Sequence, residues 1–186
     1  DDVSRVVAVA LDPERRRVLV AFASGAVDLL PLPSGKDRRT TIVPAGGGNA
    51  SATPSRLQLS PTGEQLLVAS SGAAPQMQLW RLRDGRRLAS ATIDYPEAAW
   101  FSPSGAWLAR IVGGAAEFVD PATGVVAGKV ARALAFNHVA MDDRRSVALL
   151  SSQDRTAIVV RIPSGEAVGP AMLHEGAVTE SAFAPG

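Results

Sequence analysis

One phrase recurs along this chain: apolar residues, then Ser-Pro-x-Gly, then apolar residues again. It reads "LSPTGEQLLVAS" at 59–70 and "WFSPSGAWLARI" at 100–111, with the related "LDPERRR" at 11–17 and "FAPG" at 183–186. Pro13, Pro61, Pro103 and Pro185 mark equivalent places, and "MDDRRS" puts Asp143 in the remaining one, so the spacings are 48, 42, 40 and 42 residues. A second ruler agrees: Ser34-Gly35, Asp84-Gly85, Thr123-Gly124 and Ser164-Gly165 recur at intervals of 50, 39 and 41. A chain with such a period is built of units that cannot bury their own apolar faces and must stack on one another.

Within each unit the apolar runs are short and separated by turn chemistry, the pattern of strands joined by hairpins. The third unit reads "AAWF", "SPSG", "WLARIV", "GG", "AAEFV", "DPATG", "VVAGKV": four short strands in about forty residues. The other units give "VVAVAL", "RVLVAF", "AVDLLPL", "TTIV"; "RLQL", "QLLVAS", "QMQLW", "RLASAT"; and "FNHVAM", "SVALLS", "AIVVRI", "AVGPAML". The rows "LLVAS" and "VALLS" are apolar without alternation, which predicts strands covered on both faces. No stretch of ten or more residues carries helical periodicity. The reading is an all-β chain, a β-propeller of four-stranded antiparallel blades at about 6–43, 56–92, 98–130 and 134–173, with one extra inner strand at 178–183.

These residues resemble the WD-repeat β-propeller family. "FSPSGAWLARI" and "LSPTGEQLLVAS" are similar to that family's innermost strand, turn and second strand, and "MQLWRLRDGRRL" to its third strand with the signature Trp, here Trp80. The resemblance implies structural roles for Trp80, for the turn Asp154 in "SSQDRTAIVVRIPSGEAV", and for His174 in "HEGAVTESAFAPG". The Trp-Asp pair itself is absent: Trp80 is followed by Arg81, and the matching positions elsewhere are Leu30, Val119 and Val160. Related propellers built from other short repeats stay open.

Four blades and one strand can be completed in three ways: as part of a longer, seven- or eight-bladed propeller, by pairing with a second copy, or by closing as four blades with the last strand spare. Open arrays leave sheet faces and strand edges uncovered, and the expectation favours the longer propeller, because nothing else explains a strand that stops just after the Pro-Gly turn. The lack of an initiating Met predicts a processed or excised piece.

Composition narrows the function classes. Nineteen basic against eighteen acidic residues give +1, which supplies no drive for non-specific nucleic-acid binding. With no cysteine there is no thiol chemistry, disulfide or zinc–thiolate site, and with no signal-like start the expected compartment is the cytoplasm. No apolar run approaches the roughly 20 residues of a membrane span. Arginine outnumbers lysine 17 to 2, a usage that points to a GC-rich bacterial genome.

The candidate partner-binding residues are Arg15, Arg16 and Arg17 in "ERRR", Arg144 and Arg145 in "DDRR", and Trp100 and Trp107 beside the third unit's turn. The arginines read either as solubilising turn charges or as a basic rim for an acidic partner. The tryptophans read either as sheet packing or as anchors. His138, Asp142 and a serine make a triad only on paper, since no Gly-x-Ser-x-Gly elbow is present. "PAGGGNAS" at 44–51 lacks the Lys-Ser/Thr of a phosphate loop and reads as an insertion, with Asn49-Ala50-Ser51 a coincidental acceptor. Asp94 and Glu97 have no partner suggesting acid–base work, and the two histidines lie too far apart in sequence to imply a metal site. No catalytic residue, metal or cofactor is expected. The resemblance implies a non-catalytic scaffold or sensing module that binds a protein or peptide through its face loops, within a larger bacterial signalling protein. A propeller-scaffold hydrolase or lactonase, and a propeller piece defined by its assembly, are the alternatives.

Overall fold

The computed structural model describes residues 5–12, 14–33, 39–46, 53–131 and 135–184. Pro13, Ser34-Gly35, Pro185, Leu134, Asn49-Ala50-Ser51 and most of the "PAGGGNAS" loop lie outside the described residues. Among the described residues every regular element is a strand, and no helix is long and apolar enough to cross a membrane. The chain divides into two compact units, Asp1–Glu97 and Ala98–Gly186.

The first unit holds two blades. Strands β1 (Val6–Asp12), β2 (Arg17–Phe22), β3 (Val27–Pro31) and β4 (Thr40–Val43) form one antiparallel sheet in chain order. Strands β5 (Thr53–Leu59), β6 (Gln65–Ser71), β7 (Gln76–Arg81) and β8 (Arg86–Thr92) form the other. Leu19, Ala21 and Val27 of the first blade pack with Leu66, Val68 and Trp80 of the second into one buried cluster. Face-to-face stacking therefore supplies the core that neither sheet could make alone. β6 is buried at all but its last residue, as the unbroken apolar row predicts. β2 alternates instead, and Val9 and Leu11 of β1 are 55% and 67% exposed, because the second face of blade one is uncovered.

The second unit repeats the plan. Strands β9 (Ala99–Phe101), β10 (Leu108–Val112), β11 (Ala115–Val119) and β12 (Val126–Val130) make blade three. Strands β13 (Phe136–Asp142), β14 (Val147–Ser152), β15 (Thr156–Arg161) and β16 (Met172–Leu173) make blade four. Two expectations need correction here. "AVGPAML" is not one strand: it contributes a single bridge at Ala167, opposite Val160, and the two residues of β16. Gly169 and Pro170 fall between, and Pro170 has no N–H to give to a ladder. The run 178–183 is not a strand either, since a ladder needs a partner along its edge and no described segment provides one. It runs on to Ala184 without turn or bend beside blade four, where Val178 N–H donates to the Ser152 carbonyl at 3.2 Å.

The recurring Ser-Pro phrase has a local cause. The Ser60 hydroxyl accepts the N–H groups of Glu64 and Gln65, and the Ser102 hydroxyl accepts that of Trp107, so one buried side chain closes its own hairpin turn. Gly63 and Gly105 take the left-handed conformation three residues after the serine, at φ +63° and +79°. Blades one and four close the same turn with Asp12 and Asp142, whose carboxylates accept the N–H groups of Arg15, and of Arg144 and Arg145. There the left-handed residue comes one place later, at Arg16 and Ser146.

Blades three and four also meet at backbone level. A Cβ on Gly128 of β12 would stand 1.7 Å from the Pro163 carbonyl in the turn after β15. Gly128→Ala is therefore expected to destabilise the protein by about 1–3 kcal/mol through overpacking, measured as a lowered urea midpoint. An unchanged midpoint would mean that the two blades do not touch there.

Candidate functional site

In the second unit three segments frame a groove of about 760 Å³: the Ser-Pro turn at Pro103-Ser104, the end of β13 with its turn at 140–145, and the run 181–184. That volume lies within the range of ligand and peptide sites. Asp143 ties two of the walls together by accepting the Ser104 N–H at 2.6 Å, and its other carboxylate oxygen is buried without a hydrogen bond to any described residue. Arg145 donates to Asp142 at 2.6 Å. That guanidinium, with the N–H groups of residues 144 and 145, outweighs burial and holds the Asp142 carboxyl below its ordinary range. Both aspartates are thus engaged inward. Arg144 is exposed and its guanidinium pairs with no described residue, so of the two aspartates and two arginines in the lining it is the charge left facing solvent.

The third wall is unusual backbone. Ser181 is anchored: its N–H approaches His138 Nδ1 at 3.4 Å, and Ser151 Oγ donates to its hydroxyl at 2.8 Å. The backbone groups of residues 179, 180, 182, 183 and 184 make no hydrogen bond to any described residue. Burial, partly offset by Glu180, pushes the His138 imidazole down, so it is neutral near pH 7. Trp100 sets its ring edge-on to that imidazole, with centroids 5.3 Å apart.

This arrangement contradicts the paper triad. Asp142 lies four residues from His138 along the same strand, roughly 13 Å at 3.3 Å per residue, and its carboxylate is taken by Arg145. His138 meets Ser181 with no carboxylate hydrogen-bonded to its ring among the described residues.

The other sequence candidates fall as follows. Arg17 is not displayed as a rim charge. Its Nε bonds Asp12 at 2.9 Å and its Nη2 donates to the Gly63 carbonyl of the next blade, and its side chain is only 18% exposed. Arg15 also turns toward Asp12, at 3.7 Å. Burial pushes Asp12 up, but the Arg15 N–H and the two arginine charges together hold it below the ordinary carboxylate range. Arg16 keeps an exposed side chain at its left-handed position. Trp107 is half-buried at the foot of its turn. Trp80 is buried in the first unit's core and donates Nε1–H to Gln78 at 3.0 Å. Asp154 closes its turn by accepting from the N–H and hydroxyl of Thr156. The structural role expected of His174 is not carried by a side-chain hydrogen bond to any described residue. The ring is exposed, and the residue's backbone N–H donates to the Arg155 carbonyl at 2.8 Å. Near Asp94 and Glu97, burial and those two charges push the Tyr95 phenol up to about 12, so it stays protonated and cannot act as a base.

Sequence reasoning missed the pair Arg110 and Glu117, directly opposed on β10 and β11 with bonds of 2.9 and 2.8 Å, each residue 8% exposed. Its signal was a lone charge of each sign at matching places in adjacent apolar strands.

Among solved structures the chain is similar to the C-terminal WD40 domain of Sif2, with a TM-score of 0.64 and 11% identity over 96% of this chain. The chain spans about half that structure, 49% of its length. At that identity the likeness shows the fold: the four-stranded sheets are WD40-type propeller blades. No family model matches the sequence, and no curated protein matches it.

Proposed function

We propose that this chain is a non-catalytic recognition module that binds a protein or peptide partner through the turn face of its blades, with the groove beside Arg144 and Arg145 as the binding site. WD40 propellers commonly serve protein–protein interaction, and the fold supports that class of role here. The observation that carries the reading is the one outward guanidinium of the groove: Arg145 is held by Asp142, while Arg144 faces solvent with no described partner. Trp100, behind the groove's His138–Ser181 contact, stiffens the wall rather than anchoring the partner. In this reading the host is a cytoplasmic bacterial signalling protein, supported by the 17-to-2 arginine usage and by the family resemblance.

The test is a peptide array of varied net charge probed with the purified chain. Wild type is expected to retain acidic peptides, and Arg144→Glu is expected to lose them while the melting temperature stays within about 2 °C, since the Arg144 side chain is exposed and no described residue pairs with it. Binding indifferent to the reversal would remove the groove from the function. Equal loss of binding and stability would make Arg144 structural.

A further inference from the structure

We infer that the hairpin tip joining β7 to β8, residues 81–87, is a second interaction surface, one that fits an acidic segment of a protein partner. It lies in the first unit and does not depend on the groove beside Arg144.

Three observations carry it. The first is composition: "RLRDGRR" sets four arginines against one aspartate. The equivalent turns of blades three and four are built without that excess. "VDPATGV" closes on Asp120, which accepts from the Ala122 N–H and the Thr123 hydroxyl, and "RIPSGE" balances Arg161 with Glu166 at 3.8 Å. The second is that the one aspartate is already used. Asp84 accepts Arg81 Nε at 3.0 Å, Arg81 Nη2 at 2.6 Å and the Arg86 N–H at 3.2 Å. The Arg81 bonds above all pull its carboxyl down to about 2, so it stays an anion committed to Arg81. Arg83, Arg86 and Arg87 are exposed, and the guanidiniums of Arg83 and Arg86 hydrogen-bond no described residue.

The third is placement. Leu82 is 6% exposed in the core shared by blades one and two, and its N–H donates to the Glu64 carbonyl at 2.9 Å. A Cβ on Gly85 would stand 3.4 Å from the Ile42 carbonyl, so the tip rests on blade one and its backbone is set before a partner arrives. On the ladder Arg86 opposes Arg81 and Arg87 opposes Trp80, so consecutive arginines leave opposite faces of the sheet. Guanidiniums splayed in this way match carboxylates spaced along a segment better than one compact anion. Glu64, the acidic residue on the adjoining turn, is exposed and outnumbered. No residue of 81–87 is aromatic and Trp80 is buried, so the tip lacks the stacking platform that single-stranded nucleic acid uses. An open turn excludes little water, so each pair contributes little and salt screens it. Such a contact is read at equilibrium and is lost in the washing of an array.

The experiment uses the 186-residue chain carrying Arg144→Glu, which disables the groove, and a capped decaglutamate peptide followed by fluorescence anisotropy. The peptide is expected to bind at about 20 mM salt and at least tenfold more weakly at about 200 mM. Arg83→Gln with Arg86→Gln is expected to cut the low-salt affinity at least tenfold with an unchanged melting temperature, and Arg83→Lys with Arg86→Lys to keep most of it. Arg155→Gln with Arg161→Gln removes the same net charge from exposed positions of blade four and is expected to leave binding unchanged. No binding at low salt, no loss in the first pair, or equal loss in the blade-four pair would overturn the surface while leaving the groove's own test untouched. An oligothymidylate of equal charge is expected to bind more weakly than the peptide. Equal or tighter binding would reassign the tip to nucleic acid and overturn the acidic segment.

Discussion

Glu117→Ala is expected to lower the unfolding free energy by about 3–5 kcal/mol, the range for breaking a buried ion pair from one side. The Arg110 guanidinium loses a carboxylate held at 2.8–2.9 Å on a central strand pair where water has little access. Lys129, which reaches the same carboxylate at 3.2 Å, loses its partner too but is half exposed and rehydrates. The loss comes from taking the carboxylate away from a buried guanidinium, so removing both charges is a different matter. Arg110→Met with Glu117→Leu is expected to sit far closer to wild type than the single variant. Urea unfolding followed by circular dichroism separates the cases. A Glu117→Ala midpoint within experimental error of wild type would show that the pair is solvated.

Phe118→Ala, one residue along β11, is expected to cost about 3–5 kcal/mol through lost burial and the cavity left behind. Phe118 is fully buried. Leu11→Ala is the control, because Leu11 is 67% exposed on the uncovered face of blade one and its truncation is expected within about 0.5 kcal/mol of wild type. The contrast tests blade stacking itself. If both variants lost similar stability, something would cover blade one in solution. If neither did, the blades would not be packed as described.

The parts of this fold that could be read from the sequence are those with local causes. The Ser-Pro and Asp-Pro phrases recur because one side chain at Ser60, Ser102, Asp12 or Asp142 caps the turn that follows it, within five residues. The apolar rows at β6 and β14 announce strands covered on both faces. What escaped the sequence depends on distant neighbours. Arg17 looks like its neighbours in "ERRR", yet the Gly63 carbonyl, 46 residues away, draws it inward. The groove is likewise assembled from segments about forty residues apart, and of its lining only Arg144 and Arg145 were partner-binding candidates beforehand. Residues 178–183 have a strand's composition, but a strand exists only with a partner, and composition does not supply one.

The central claim is that successive four-stranded sheets bury each other's faces, and amide hydrogen exchange by mass spectrometry tests it most directly. The account predicts slow exchange across β6, β10, β11 and β14, whose residues are buried almost throughout, and fast exchange across the exposed β16. Exchange across β6 and β11 as fast as across β16 would contradict the account.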